Sequence, residues 1–360
     1  MTDDARGQLG GPVLIIGTGL LGTSIGLALR RIDVEVVLDD IDASTLEAAV
    51  ARGAGTPTPA DSSPALVVVA VPPSYAGAVM ARAAHQWPHA TVTDVTSVKA
   101  LPLREALALG ADPRRLVGGH PMAGREVSGP AGARVDLFED RPWVVTPLPE
   151  STVRAREQVQ ALVRICGGLP REMSPEAHDR AVALTSHVPQ VVASLVAARL
   201  SQADPADVQV SGQGLRDVTR IAGSDPALWV DILGANAAEV GDVLTQVAAD
   251  LDVVVEALRQ RAAEPIHDLM TRGNLGHARV PGKHGQEASA YAQVLVMVAD
   301  EPGELARLFV AAGEAGVNLE DVRIDHVLGR PSGLIELSVR PERGELLRAA
   351  LRDRGFDLRD

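Results

Sequence analysis

Six residues, Gly17-Thr18-Gly19-Leu20-Leu21-Gly22, constrain this chain more than any other stretch. They read G-x-G-x-x-G, and their setting matters more than the pattern. A β-branched run, 13–16, leads into them, and residues 24–31 follow with helical spacing. A second apolar run, 34–38, ends on Asp39 and Asp40. This is the arrangement of a dinucleotide-binding βαβ unit. Gly17 permits the tight turn, Gly19 lets the backbone approach a pyrophosphate, and Gly22 lets helix and strand pack closely. The free N–H groups at the helix start then face the phosphate charge. A carboxylate at the end of the second strand accepts hydrogen bonds from the ribose hydroxyls and repels a 2′-phosphate, so NAD is expected. Asp39 and Asp40 both qualify, with Asp40 preferred. Leu20 and Leu21 in the motif, Val71 and Pro72 at the end of the third run, and Ser97 complete the expected cofactor contacts.

The rest of the first half repeats the alternation. Residues 66–71 form an unbroken apolar run, as expected of a parallel strand buried on both faces. Residues 91–94, 116–118 and 143–146 read as further strands, with helices at 43–52, 76–86 and 151–166 and an edge strand at 169–173. Residues 10–173 are therefore expected to form an α/β Rossmann domain with a doubly wound parallel sheet. Ser174 then reads as an N-cap with Pro175 at the first helical position. Residues 174–270 carry Ala, Val and Leu at helical spacing, which predicts an all-helical domain ending in a long amphipathic stretch at 235–261. Residues 271–288, rich in Gly and basic side chains, read as a linker. Residues 289–360 give the order β-α-β-β-α, with strands at 291–298, 322–327 and 334–339 and helices at 303–315 and 344–354, which suggests a small ferredoxin-like sandwich.

Net charge is −13, which argues against nucleic acid as a partner. The longest apolar runs are too short to cross a bilayer, and the polar, acidic N-terminus lacks the features of a signal peptide. One cysteine, Cys166, excludes an intramolecular disulfide and fits a reducing compartment. A cytoplasmic protein is expected. Aromatic residues make up 2% of the chain, so its cores must be packed with Ala, Val and Leu.

Two further segments carry polar groups where an α/β sheet would place its ligand, beyond the carboxyl ends of its strands, and the helical region offers a third set. Asp94-Val-Thr-Ser97-Val-Lys99 follows one strand. Gly118-Gly119-His120-Pro121 follows another, and His120, fixed by Pro121, is well placed to work against a nicotinamide ring. In the helical region, Ser186-His187-Val188-Pro189 interrupts a helix, since Pro189 breaks the hydrogen-bond ladder. Arg216 and Arg220 stand four apart on one helical face. Two guanidiniums and a histidine suit a substrate with carboxylates. No cluster has metal-ligand spacing, and His178-Asp179 alone is insufficient for a metal.

Taken in order, VLIIGTGLLGTSIG, TDVTSVK, GGHPMAGREVSGP, SPEAHD, SHVPQ, GQGLRDVTRIAGSDPALWVDI and RVPGKHG span residues 13–285. Together they resemble the prephenate and arogenate dehydrogenase family. The later segment ADEPGELARLFVAAGEAGVNLEDVRID looks like an ACT domain. The resemblance implies NAD-dependent oxidative decarboxylation of prephenate to 4-hydroxyphenylpyruvate, in tyrosine biosynthesis; the alternative is arogenate, giving tyrosine directly. It implies that His120 takes the proton of the ring hydroxyl and that Ser97 bonds His120 or that hydroxyl while touching the cofactor. Arg220 would hold the ring carboxylate and His187 would help seat the substrate. Glu126 and Arg216 would line the mouth, and Trp229 would sit near the pocket of a partner subunit in a homodimer. In the ACT segment, Pro302, Gly303 and Asn318 would line a site for an effector, tyrosine or another aromatic amino acid; a purely assembling ACT domain is the other possibility. Three positions depart from the family pattern: Arg216 where lysine is common, Arg125 where a small hydroxyl residue is frequent, and Gln190 where a second histidine often stands. These leave the prephenate-versus-arogenate preference open, with His187 and the arginines favouring prephenate. A β-hydroxyacid dehydrogenase would need a lysine base near His187, and none is there. A non-catalytic NAD sensor remains the reading from outside enzymology.

Overall fold

The strand β1, Val13–Ile16, is entirely buried, and its alternate residues feed two separate cores. Val13 and Ile15 pack with Ile25, Leu29, Val159 and Leu162 on one face of the sheet. Leu14 and Ile16 pack with Met80, Ala84 and Leu103 on the other. A strand covered on both faces can be apolar throughout, which is why VLII shows no alternation. The chain is known here from a computed structural model that describes residues 7–124, 127, 129–280, 291–326 and 332–359.

β1 is the middle of a parallel five-stranded sheet of order β3-β2-β1-β4-β5. Its partners are β2, Val36–Asp39, and β4, Leu66–Val69, with β3, Thr56–Pro57, and β5, Thr91–Asp94, at the edges. Helices α1 (Leu20–Arg30), α2 (Ala43–Ala51), α3 (Pro73–Gln86), α4 (Ala100–Ala108) and α5 (Val153–Ile165) complete this region. From β1 the chain winds to β2 on one side, then returns to β4 on the other. This reversal opens a crevice beyond the carboxyl ends of β1 and β4, the general ligand position of such sheets.

The later strands correct one expectation. β6, Val117–Pro121, and β7, Pro142–Pro147, do not extend the parallel sheet but pair antiparallel. With β8, Leu169–Glu172, parallel to β7, they form a separate three-stranded sheet. An isolated parallel bridge, Val92 to Leu116, joins its start to β5. The physical reason is the connection. Between β6 and β7 the described residues form no α-helix that could carry a crossover, so the chain returns antiparallel.

Helix α4 was not legible in the sequence because its cap is not local. The backbone N–H groups of Lys99 and Ala100 donate to Asp179, both at 2.8 Å, across about eighty residues of chain. By contrast α2 is capped by Asp42 and α5 by Thr152, close neighbours of their own helices.

From Ser174 the chain is helical, as expected. Ser174 caps α6, Pro175–Val182, whose run continues through a π-helical turn, Ala183–His187, into α7, Val188–Leu200. The wide turn falls on the Ser-His-Val-Pro segment, where Pro189 forbids the ordinary ladder; such turns recur at functional sites. By length and hydropathy Pro175–Leu200 could cross a membrane. Its polar side chains His178, Asp179, His187 and Gln190 are buried and hydrogen-bonded within the same unit. Short helices α8 (Pro205–Val208) and α9 (Gln213–Thr219) lead to α10, Pro226–Ala235, and the long α11, Ala237–Gln260.

The chain separates into two compact units, residues 1–248 and 249–360; the division falls within α11, so the Rossmann region and the helices up to residue 248 belong to the first. In the second unit, α12, Ala263–His277, overrides the linker expected from residue 271. Gly273 and Gly276 sit inside this helix despite costing about 1 kcal/mol each against alanine. Ion pairs of Arg272 with Asp268 and Asp250 offset part of that cost. Residues 281–288 of the expected linker lie outside the described residues. Beyond them, β9 (Ala292–Ala299), α13 (Glu304–Glu314), β10 (Asp321–His326), β11 (Ser332–Val339), α14 (Gly344–Asp353) and β12 (Asp357–Arg359) form a four-stranded antiparallel sheet of order β10-β11-β9-β12. This is the ferredoxin-like layout, with a closing strand, β12, that the sequence pattern missed. Its core joins Val294, Val296, Leu308, Ile335, Leu337, Leu347 and Leu351.

Candidate active site

Gly17 enters the glycine loop with φ +96°, and a Cβ there would lie 2.4 Å from the Ala70 carbonyl oxygen, so only glycine fits. Gly19, at the N-cap of α1, is different: a Cβ there would meet nothing within 4 Å. α1 has no side-chain cap at this end. Open space against uncapped amides is the cradle a pyrophosphate would fill. The carboxylate of Asp40 lies beside it and is already engaged, accepting from Thr18 N at 2.6 Å and Thr18 Oγ1 at 2.8 Å. Its other oxygen accepts from Asp42 N at 2.9 Å. Asp39 meets the loop only through its backbone carbonyl, which accepts from Gly17 N at 2.8 Å. Val71 and Pro72 follow β4, and Ser97 lies partly exposed in the turn between β5 and α4. These residues fit a bound dinucleotide.

A buried polar network lies under the neighbouring segment. Lys99, fully buried, forms an ion pair with Asp94 and donates to the Gly119 carbonyl at 2.6 Å and Thr96 Oγ1 at 3.1 Å. Burial pushes the Lys99 ammonium down, opposed by the Asp94 and Asp179 carboxylates. Asp94 in turn accepts from the Gly119 and Thr96 amides. Gly118 and Gly119 are required by this close approach, since a Cβ would stand 2.4 Å from Thr146 Oγ1 at the first and 2.8 Å from the Asp94 carbonyl oxygen at the second. The next residue, His120, is thereby held in β6, half-buried.

His120 Nδ1 lies 2.8 Å from His178 Nε2, with the rings edge to face at 5.0 Å. His178 Nδ1 lies 2.7 Å from Asp179 Oδ1. Asn236 Nδ2 donates to the Asp179 carbonyl at 2.9 Å and to His187 Nδ1 at 3.1 Å. Burial, then the positive charges possible on His178, Lys99 and His187, hold the His120 ring well below the usual imidazole range. Burial also lowers His178, against the pull of Asp179, and takes His187 down to about 4. Burial works to raise the Asp179 carboxyl, but hydrogen bonds from His178 and the Ala100 and Lys99 amides outweigh it and keep the group low. Three neutral imidazoles and an ionised carboxylate thus share one site. Sequence reading singled out His120 and His187 but weighed His178-Asp179 only as a metal pair, and it missed Asn236. Among the described residues no group of metal-binding side chains occurs.

Beside this network, a cavity of about 390 Å³ is lined by Gly124, Ser186, Gln190, Arg220, Ser224 and Trp229, among others. Arg220 opens the 3₁₀ turn that follows α9, so it reaches the cavity, whereas Arg216, exposed on α9, is not among the lining residues. Trp229, expected near a partner's pocket, lines the cavity of its own chain and stands edge-on to the His187 ring at 6.0 Å. Gln190 donates to the Ile221 carbonyl at 3.0 Å and ties α7 to the turn bearing Arg220. His187 is 1% exposed. Glu126 and Arg125 lie outside the described residues. Cys166 is buried, which pushes its thiol up to about 12 and leaves it inert.

Residues 25–169 match the family model of the prephenate dehydrogenase nucleotide-binding domain, and residues 174–272 match that of the prephenate dehydrogenase dimerization domain. A probable prephenate dehydrogenase of Streptomyces niveus is 40% identical over 95% of this chain and 97% of its own. The prephenate dehydrogenase of Bacillus subtilis is 28% identical, covering 93% and 94% respectively. Among solved structures, that of A. aeolicus prephenate dehydrogenase in complex with hydroxyphenyl propionate and NAD+ superposes with a TM-score of 0.67 at 29% identity, over 74% of this chain and 97% of the other.

Proposed function

The chain belongs to the prephenate dehydrogenase family, and on that premise we propose that it oxidatively decarboxylates prephenate with NAD. The observation that carries this reading is His120, a neutral imidazole fixed at the end of β6 and backed by His178. NAD, when bound at the glycine loop, supplies the hydride acceptor. His120 takes the proton of the ring hydroxyl as hydride leaves the carbon bearing it. The ring carboxylate departs as CO₂, its bonding electrons enter the ring, and aromatisation gives 4-hydroxyphenylpyruvate. Since aromatisation drives the reaction, the protein's tasks are to orient the donor carbon and to hold a neutral base.

Asp40 holds the adenosine ribose, with Gly17, Gly19, Leu20, Leu21, Gly22, Val71 and Pro72 around the remaining dinucleotide. Ser97 bridges the ring hydroxyl and the cofactor. Arg220 holds a substrate carboxylate, as its place on the cavity wall supports. His187 seats the substrate, and Arg216, exposed on α9, meets it from outside the cavity wall. The protein acts as a cytoplasmic homodimer. Leu184, Leu195 and Val230 of the helical region, 62%, 58% and 71% exposed, supply an apolar surface that a second copy would cover. The region from residue 289 onward is an ACT domain binding tyrosine or another aromatic amino acid at Pro302, Gly303 and Asn318. Its ferredoxin-like order and the left-handed Gly303 (φ +98°) at the start of α13 support that reading.

The test is NADH formation with prephenate and with arogenate, each offered with NAD and with NADP. Turnover of prephenate with NAD is expected. No turnover of either substrate, in folded protein that binds NAD, refutes the assignment.

A further inference from the structure

We propose that Asp179 and His178 act as positioning residues that fix the tautomer of His120, leaving its Nε2 as the bare nitrogen that receives the substrate proton. This rests on the assignment of His120 as the base. The Asp179 carboxylate is committed as an acceptor: it takes the amides of Lys99 and Ala100, and Oδ1 also lies 2.7 Å from His178 Nδ1. An ionised carboxylate can only accept, so His178 Nδ1 carries hydrogen. Neutral His178 then offers a lone pair at Nε2, and that atom is 2.8 Å from His120 Nδ1. His120 must donate through Nδ1, and its Nε2 is left unprotonated.

A protonated His178 would reverse the outcome, donating to His120 Nδ1 and forcing the ring proton onto Nε2. Two features oppose that state. His178 is fully buried, and the Lys99 ammonium stands close in the same network. The groups facing His120 and His178 are Lys99, Asp94, Asp179 and His187, from β5, the turn before α4, α6 and the π turn. The geometry is also locked. Asp179 is pinned through its carboxylate by the start of α4 and through its carbonyl by Asn236. When His120 gains the substrate proton, its Nδ1–H still points at His178, whose other nitrogen rests on the carboxylate. The new charge therefore has a hydrogen-bonded route to Asp179 with no rearrangement.

The test uses the full chain with NAD bound and ¹⁵N-labelled histidine. In the wild type, the His120 imidazole should show hydrogen on Nδ1 and a lone pair on Nε2; hydrogen on Nε2 would overturn the proposal without any variant. In His178→Leu, kcat should fall by about 100-fold or more, the scale of a positioned base, with NAD affinity within about twofold of wild type. The His120 proton should at the same time leave Nδ1. A structural role alone would not move that resonance. Turnover of His178→Leu within about twofold of wild type would overturn the proposal. Failure of the wild type to turn over prephenate, with the tautomer as described, would instead refute the functional assignment and leave the tautomer standing.

Discussion

Asn236 Nδ2 donates to His187 Nδ1 at 3.1 Å, which places the His187 ring proton on Nε2. That Nε2 is buried and has no hydrogen-bond partner among the described residues. His187 is thus a neutral donor awaiting an acceptor, the opposite of the state inferred for His120. His187→Leu should raise KM for prephenate about tenfold, by the free energy of one hydrogen bond to a charged group, with a smaller effect on kcat. Steady-state kinetics check this. An unchanged KM would remove His187 from the substrate contacts.

The three low-lying histidines make stability depend on pH. Each is neutral when folded and has an ordinary imidazole value near 6.5 when unfolded. The unfolded chain therefore binds more protons as pH falls below about 6.5, so stability is constant above that value and declines beneath it. For His187 the decline runs down to about 4. Each such group contributes about 1.4 kcal/mol per pH unit within its window. Denaturant midpoints measured from pH 7.5 to 4.5 should fall on the acid side, and His187→Leu should flatten the slope by close to one proton. With His120 as the proposed base, activity should persist below the usual imidazole range.

Two glycines of the loop separate fold from binding. Gly17→Ala places a methyl against the Ala70 carbonyl at a positive φ, and should cost several kcal/mol or prevent folding. Gly19→Ala meets open space, so its melting temperature should match wild type while NAD affinity drops about tenfold or more through contact with the pyrophosphate. Calorimetric titration and thermal melts of the two variants distinguish these outcomes. Retained NAD affinity in Gly19→Ala would move the cofactor away from the loop.

Asp40 and Asp39 should differ in the same assay. Asp40→Asn weakens the grip on Thr18 and on the ribose, and should lower NAD affinity about tenfold, one to two kcal/mol of lost charged hydrogen bonding. Asp39→Asn should change it little, because Asp39 reaches the loop through its backbone. The reverse order would assign the ribose to Asp39.

What the sequence carried was whatever is local. β5 matches its expected bounds, and Ser174-Pro175 marks the start of α6, because an apolar run and a cap are read within a few residues. What it withheld depends on distance. α4 takes its cap from Asp179, far along the chain, so no local signal announced it. His178 meets His120 across 58 residues, and an isolated His-Asp pair on a helix looks the same whether it orients a base or merely fills a core. The antiparallel turn from β6 to β7 depends on connection geometry, and α12 forms across its glycines with ion pairs of Arg272 offsetting part of their cost, neither of which composition records. Gln190 was visible as a departure, but its bond to Ile221 was not.

His120 as the base for hydride transfer is tested most directly by a single-turnover measurement of NADH formation from prephenate by His120→Asn, alongside its NAD affinity. The rate should fall about 10²–10⁴-fold with NAD binding within a few fold of wild type. A rate close to wild type, in a variant that folds and binds NAD normally, would contradict it.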